Sequence, residues 1–138
     1  MENSTSKSVL LLEDDEELRN TIQESLESRS YDVVAVRGGV EGLQKITARS
    51  FDVILCDMMM QALPCDMFYL AVKRVRPSLC RRFIFMTGCE NDGKATDFIK
   101  STNGLTLNKP FEVDDLLEMI AFVQVRANMD HDPALQTN

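Results

Sequence analysis

Short continuous apolar runs alternate along this chain with stretches of helical spacing. "SVLLLE" (8–13), "YDVVAV" (31–36), "FDVILCD" (51–57), "RFIFMTG" (82–88) and "GLTLNKPF" (104–111) have the length and content of strands. Between them the apolar positions recur three or four residues apart. Leu18, Ile22 and Leu26 predict a helix from Asp15 to about Ser28, and Val40, Leu43 and Ile46 mark a second. Met67, Leu70, Ala71 and Val75 predict a third, stopped at Pro77. In that helix Phe68 and Tyr69 are neighbours, and one ring is expected to face outward as a partner surface. A thin fourth helix over about 92–101 carries Ala95, Phe98 and Ile99 and is weakened by Gly93. Val113, Leu116, Leu117, Ile120 and Val123 give the clearest amphipathic helix, ending near Ala127.

Five strand–helix units in strict alternation imply an α/β fold, a parallel sheet doubly wound with helices on both faces. The near-continuous apolar strands agree, because such strands are buried on both sides. One domain is expected over 8–127, with polar tails at 1–7 and 128–138. Open α/β sheets gather function beyond the carboxyl ends of their strands. There the sequence places Glu13, Asp14 and Asp15 after strand one, Asp57 after strand three, Thr87 and Gly88 after strand four, and Lys109 and Pro110 after strand five.

Each of these has an ordinary structural role open to it. Asp15 fits a helix cap, and the others fit turns or solvated faces. What separates them from ordinary surface residues is their convergence on one sheet edge. Two carboxylates about 4 Å apart repel by roughly 4 kcal/mol at an effective dielectric near 20. A hard divalent cation such as Mg²⁺ relieves that conflict with oxygen ligands. A carboxylate beside it can attack phosphorus, while a lysine and a hydroxyl stabilise phosphoryl oxygens.

Composition narrows the classes. The net charge of −7 argues against direct binding of nucleic acid, which needs clustered Lys and Arg. No apolar run reaches the length of a membrane span, and "MENSTSKS" lacks the apolar core of a signal peptide, so a cytoplasmic location is expected. Cys56, Cys65, Cys80 and Cys89 form no C-x-x-C pair and are expected to be free thiols. His131, the single histidine, lies in the polar tail and is not expected to act as a ligand.

The segments "VLLLEDDEELR", "DVILCDMMM", "FMTG" and "LNKPFEVDDLL" resemble, in order and spacing, the receiver domain of two-component response regulators. The resemblance covers about 8–127. It implies a flavodoxin-like five-stranded sheet of order 2-1-3-4-5 and a phospho-accepting signalling switch rather than an enzyme. Glu13 and Asp14 match the acid pair that holds Mg²⁺, completed by Asp57 and the backbone carbonyl of Met59. Asp57 matches the phosphoacceptor, Thr87 the switch hydroxyl and Lys109 the phosphate-binding lysine. The Lys109–Pro110 bond is expected to be cis. The implied donor is a sensor histidine kinase or a histidine phosphotransfer protein. The implied output is an effector that the sequence does not name, with room for a weak homodimer.

Several positions depart from the family pattern. Gln61 and Cys65 stand where Pro and Gly are frequent, with Pro64 displaced nearby. Thr106 replaces the usual aromatic, so the switch from Thr87 is expected to be weakened or rerouted through 88–101. Met59 and Cys89 replace polar side chains that orient the hydrolytic water in fast members, so a long-lived phosphoryl group is expected. No effector segment is recognised after 127, which fits either a stand-alone regulator or a receiver excised from a hybrid kinase. Two other functions share parts of this pattern. A Mg²⁺-dependent phosphatase with an aspartyl nucleophile typically needs a second Asp at the position of Met59. An interaction domain independent of phosphorylation would not need the acids, Thr87 and Lys109 together.

Overall fold

The computed structural model describes residues 7–61, 63–88 and 93–130. Five strands, β1 (Ser8–Leu12), β2 (Asp32–Val36), β3 (Val53–Asp57), β4 (Phe83–Thr87) and β5 (Leu105–Asn108), alternate with α1 (Glu16–Glu27), α2 (Gly39–Ala48), α3 (Cys65–Val75), α4 (Gly93–Thr102) and α5 (Val113–Asp130). The strands form one parallel sheet in the order β2-β1-β3-β4-β5. This is the sheet and order expected from the sequence.

The apolar runs are continuous because helices cover both faces. Side chains alternate across a strand, so Leu10 and Leu12 join Ile46, Phe68, Val72 and Phe85 on one side. Val9 and Leu11 join Ile22, Leu26, Leu116, Ile120 and Val123 on the other. Gly42 lets α2 approach the sheet, since a Cβ there would meet Leu12 Cδ2 at 2.6 Å.

Helix α3 differs from expectation in its buried face. Met67, Leu70 and Val75 are exposed, whereas Cys65, Phe68, Tyr69 and Val72 are buried. The helix carries two apolar stripes at helical spacing, and the aromatic one wins. Phe68 packs 5.9 Å from Phe83, and Tyr69 lies against Phe83, Phe85 and Phe98. Neither ring faces outward, because neighbours on a helix lie 100° apart and a core-facing stripe is wide enough for both. On α2, Val40 is likewise exposed while Ile46 is buried.

Two boundaries also shift. A 3₁₀ turn, Pro77–Arg82, follows α3 with proline at its start, where the missing N–H costs nothing. Helix α5 continues to Asp130, three residues into the expected tail. Arg126 there donates to the Arg81 carbonyl at 2.8 Å and the Asn103 carbonyl at 3.1 Å.

The β3–α3 connection carries the departures at 61, 64 and 65. Leu63 has φ of +53° and packs on Gly39, where a Cβ would sit 2.8 Å from the Leu63 carbonyl oxygen. Cys65 is buried at the first position of α3 beside Cys56, whose thiol burial pushes well above its ordinary value. Cys56, Cys65 and Cys80 are free, and such thiols behave as small apolar groups. Cys89 and His131 lie outside the described residues.

Candidate functional site

The chain steps from β1 outward to β2 and then returns to place β3 on the other side of β1. Such a reversal opens a crevice at the carboxyl ends of β1 and β3. Glu13 and Asp14 leave β1 into that crevice, and Asp57 ends β3. One carboxylate oxygen from each of Glu13, Asp14 and Asp57 lies within 4.8 Å of the others. Glu13 and Asp57 are buried, at 1% and 2% exposure, while Asp14 is exposed.

The buried acids are held by specific donors. Lys109 Nζ lies 3.0 Å from Glu13 Oε1 and 3.3 Å from Asp57 Oδ2. The Asp15 N–H donates to Glu13 Oε2 at 3.1 Å, and the Met59 N–H donates to Asp57 Oδ1 at 3.0 Å. Arg19 Nη1 donates to the Glu13 carbonyl at 3.0 Å and fixes the turn out of β1. Asp15 itself caps α1, accepting from the N–H groups of Glu17 and Leu18. Its role is therefore the cap, and it stands apart from the acid cluster.

Lys109 reaches the acids from the loop after β5, where the Lys109–Pro110 peptide is cis as expected. Thr87 closes β4 beside it. The Thr87 hydroxyl donates to Asn108 Oδ1 at 2.8 Å. Sequence reasoning missed Asn108, and only its poor fit to a strand could have flagged it. Thr106 is half-buried within β5, paired in register with Phe85. Met59 is 62% exposed at the mouth of the crevice. Of its neighbours, Met58 is half-buried and Met60 is buried.

The sequence model of the response regulator receiver domain matches residues 9–121. The chain belongs to the response regulator receiver domain family. It is 25% identical to the response regulator receiver protein CpdR of Brucella abortus over 88% of this chain and 99% of that protein. It is 34% identical to the transcriptional regulatory protein DltR of Streptococcus agalactiae over 81% of this chain, but spans about half of that longer protein (49%). A CheY-like receiver domain protein from Methanospirillum hungatei superposes with a TM-score of 0.83 at 23% identity, over 91% of this chain and 99% of that one. That last likeness concerns the fold alone. No helix among the described residues is long and apolar enough to cross a membrane.

The electrostatics of this receiver domain follow from its burial. Burial pushes the Glu13 carboxyl up to about 7, against the opposing pull of Lys109 and the Asp15 N–H and with added repulsion from Asp57. Burial alone would lower Lys109, but its hydrogen bond to Glu13 and the charge of Asp57 outweigh this and hold the ammonium above its ordinary value. The donor set fits Mg²⁺: three hard carboxylates, one of them open to water.

A raised carboxyl has a definite pH signature. The folded protein keeps a proton on Glu13 that an unfolded chain, with an ordinary value near 4.3, has released. The stability from this group is complete at low pH and is lost as pH rises from about 4.3 to about 7. With a chelator present, the parent should therefore lose stability relative to Glu13→Gln between about pH 5 and about pH 7.5. Mg²⁺ affinity should rise through the same window as the ligand is freed of its proton. Denaturation and calorimetry across pH check both, and a flat or opposite difference contradicts the assignment.

Proposed function

We propose that this receiver domain takes a phosphoryl group from a phosphohistidine onto Asp57 and changes its partner-binding surface as a result. The supporting observation is the joint placement of Asp57, Glu13, Asp14 and Lys109 at the switch point of the sheet. An Asp57 carboxylate oxygen attacks phosphorus, and the bond from phosphorus to the donor imidazole nitrogen breaks. The imidazole leaves with the electron pair. Glu13, Asp14, Asp57 and the Met59 carbonyl would hold Mg²⁺, which when bound neutralises charge on the phosphoryl oxygens. Lys109 binds one phosphoryl oxygen and Thr87 donates to another. The Met59 N–H bonded to Asp57 orients the carboxylate for attack.

The donor is a sensor histidine kinase or a phosphotransfer protein, acting in the cytoplasm. An apolar recess of about 380 Å³, lined by Leu18, Gly88, Lys109, Pro110 and Phe111, offers the donor a face beside Lys109. The reading is a switch and not a turnover enzyme, since Met59 occupies the position of a phosphatase acid/base. Incubation with acetyl phosphate and Mg²⁺ should add one phosphoryl group by intact mass, removed by hydroxylamine. No adduct, or an adduct stable to hydroxylamine, would sink the reading.

The phosphoryl group should persist. Hydrolysis needs water aligned with phosphorus opposite Asp57, and the Met59 thioether is a weak acceptor with no donor. Each 1.4 kcal/mol of lost positioning slows the step about tenfold. Replacing Met59 by Asn together with Cys89 by Glu should speed dephosphorylation by at least about tenfold. Decay no faster than the parent would refute the role of these side chains.

A further inference from the structure

Thr87 and Asn108 are paired residues at the ends of β4 and β5. The Lys109 N–H donates to the Thr87 carbonyl at 2.7 Å, and the Thr87 hydroxyl donates to Asn108 Oδ1 at 2.8 Å. A hydroxyl has one proton to give. While Asn108 holds it, that proton is not available to a phosphoryl oxygen. Asn is poorly suited to a strand, and Asn108 is exposed, so neither backbone preference nor core packing accounts for it. Its side-chain hydrogen bond to the Thr87 hydroxyl does.

We propose that Asn108 is a positioning residue that holds the Thr87 hydroxyl in the resting state and releases it only to a phosphoryl group on Asp57. This rests on the reading of Asp57 as phosphoacceptor and adds how the same site is regulated. A charge-assisted hydrogen bond is about twice as strong as a neutral one, so the phosphoryl oxygen wins the proton. The bond to Asn108 must first break, and that opposes the phosphorylated state. The Asn108–Thr87 latch thus sets how far phosphorylation drives the switch. With Thr106 in place of an aromatic ring, it is a local contact that restrains Thr87 without a bulky partner.

Because the bond is open to water, its effect belongs in the lower half of the usual range for a hydrogen bond. Deleting it should shift the response roughly two- to fivefold. The test is a titration with beryllofluoride, a phosphoryl mimic, and Mg²⁺, read by NMR. Four proteins are compared: the parent, Asn108→Leu, Thr87→Val and the double variant. Asn108→Leu should lower the half-saturating concentration by roughly two- to fivefold. The same change should have no effect in the Thr87→Val background, where there is no hydroxyl to hold. In the unliganded Asn108→Leu protein, the Thr87 methyl signal should move toward its beryllofluoride-bound position. Asn108→Ala repeats the comparison with a smaller side chain, and melting curves verify that each variant folds. An equal shift in both backgrounds, or no shift beside a normally responding parent, overturns the latch alone. A parent that binds no beryllofluoride overturns the phosphoacceptor reading and the latch with it.

Discussion

Asp57→Asn should abolish phosphoryl incorporation while leaving the fold intact. Among the described residues the site brings together three carboxylates, but they are not equivalent as nucleophiles. Burial pushes Glu13 up to about 7, and its oxygens are engaged by Lys109 and the Asp15 N–H. Asp14 is exposed to water at the rim. Asp57 is buried at the end of β3, with one oxygen fixed by the Met59 N–H and the other near the Lys109 ammonium that would meet a phosphoryl oxygen. An amide has the same shape and keeps an acceptor for the Met59 N–H, so packing is preserved. It lacks the anionic oxygen that the proposed attack on phosphorus requires. After incubation with acetyl phosphate and Mg²⁺, the intact mass of the variant should equal that of the untreated protein. A melting curve establishes that it is folded. An adduct at the level of the parent would move the acceptor to another residue and end the assignment.

Lys109→Met should cost stability at neutral pH, and acid or Mg²⁺ should recover it. Methionine keeps most of the lysine stem and its packing, so the change isolates the charge. Removing one partner of a buried ion pair leaves uncompensated charge, which costs about 3–5 kcal/mol when nothing relieves it. Here Glu13 relieves it by taking a proton more firmly, so roughly 1–3 kcal/mol is expected at about pH 7. At about pH 5 Glu13 is already protonated in the parent, and the difference should shrink. Mg²⁺ supplies the missing counter-charge and should stabilise the variant more than the parent. Denaturant unfolding at the two pH values, with and without Mg²⁺, reads all of this. An equal loss at both pH values and no response to Mg²⁺ would show that Lys109 acts through packing alone.

Several features were settled by the order of residues alone. Each apolar run is followed by its own amphipathic stretch, and only a parallel sheet covered on both faces buries such runs without polar alternation. The β-α order, the exit of the acids from β1 and β3, and the arrival of Lys109 and Pro110 after β5 are all consequences of chain order. The Asp15 cap was legible because its hydrogen bonds reach only two and three residues along the chain. Local rules suffice where the partners are local.

Tertiary structure decided what depends on distant partners. Both apolar stripes of α3 satisfy helical spacing. Phe68 and Tyr69 are chosen because Phe83, Phe85 and Phe98, from β4 and α4, complete an aromatic cluster with them. Glu13 and Asp14 are adjacent in sequence, yet one is buried and the other exposed, and the partner of buried Glu13 is Lys109, 96 residues away. The Thr87–Asn108 bond spans 21 residues and exists because β4 and β5 pair in that register. Chain order placed the charged groups at one edge of the sheet. Which of them are buried, paired or held back was fixed by contacts between strands and helices far apart in the sequence, and no local pattern encodes those contacts.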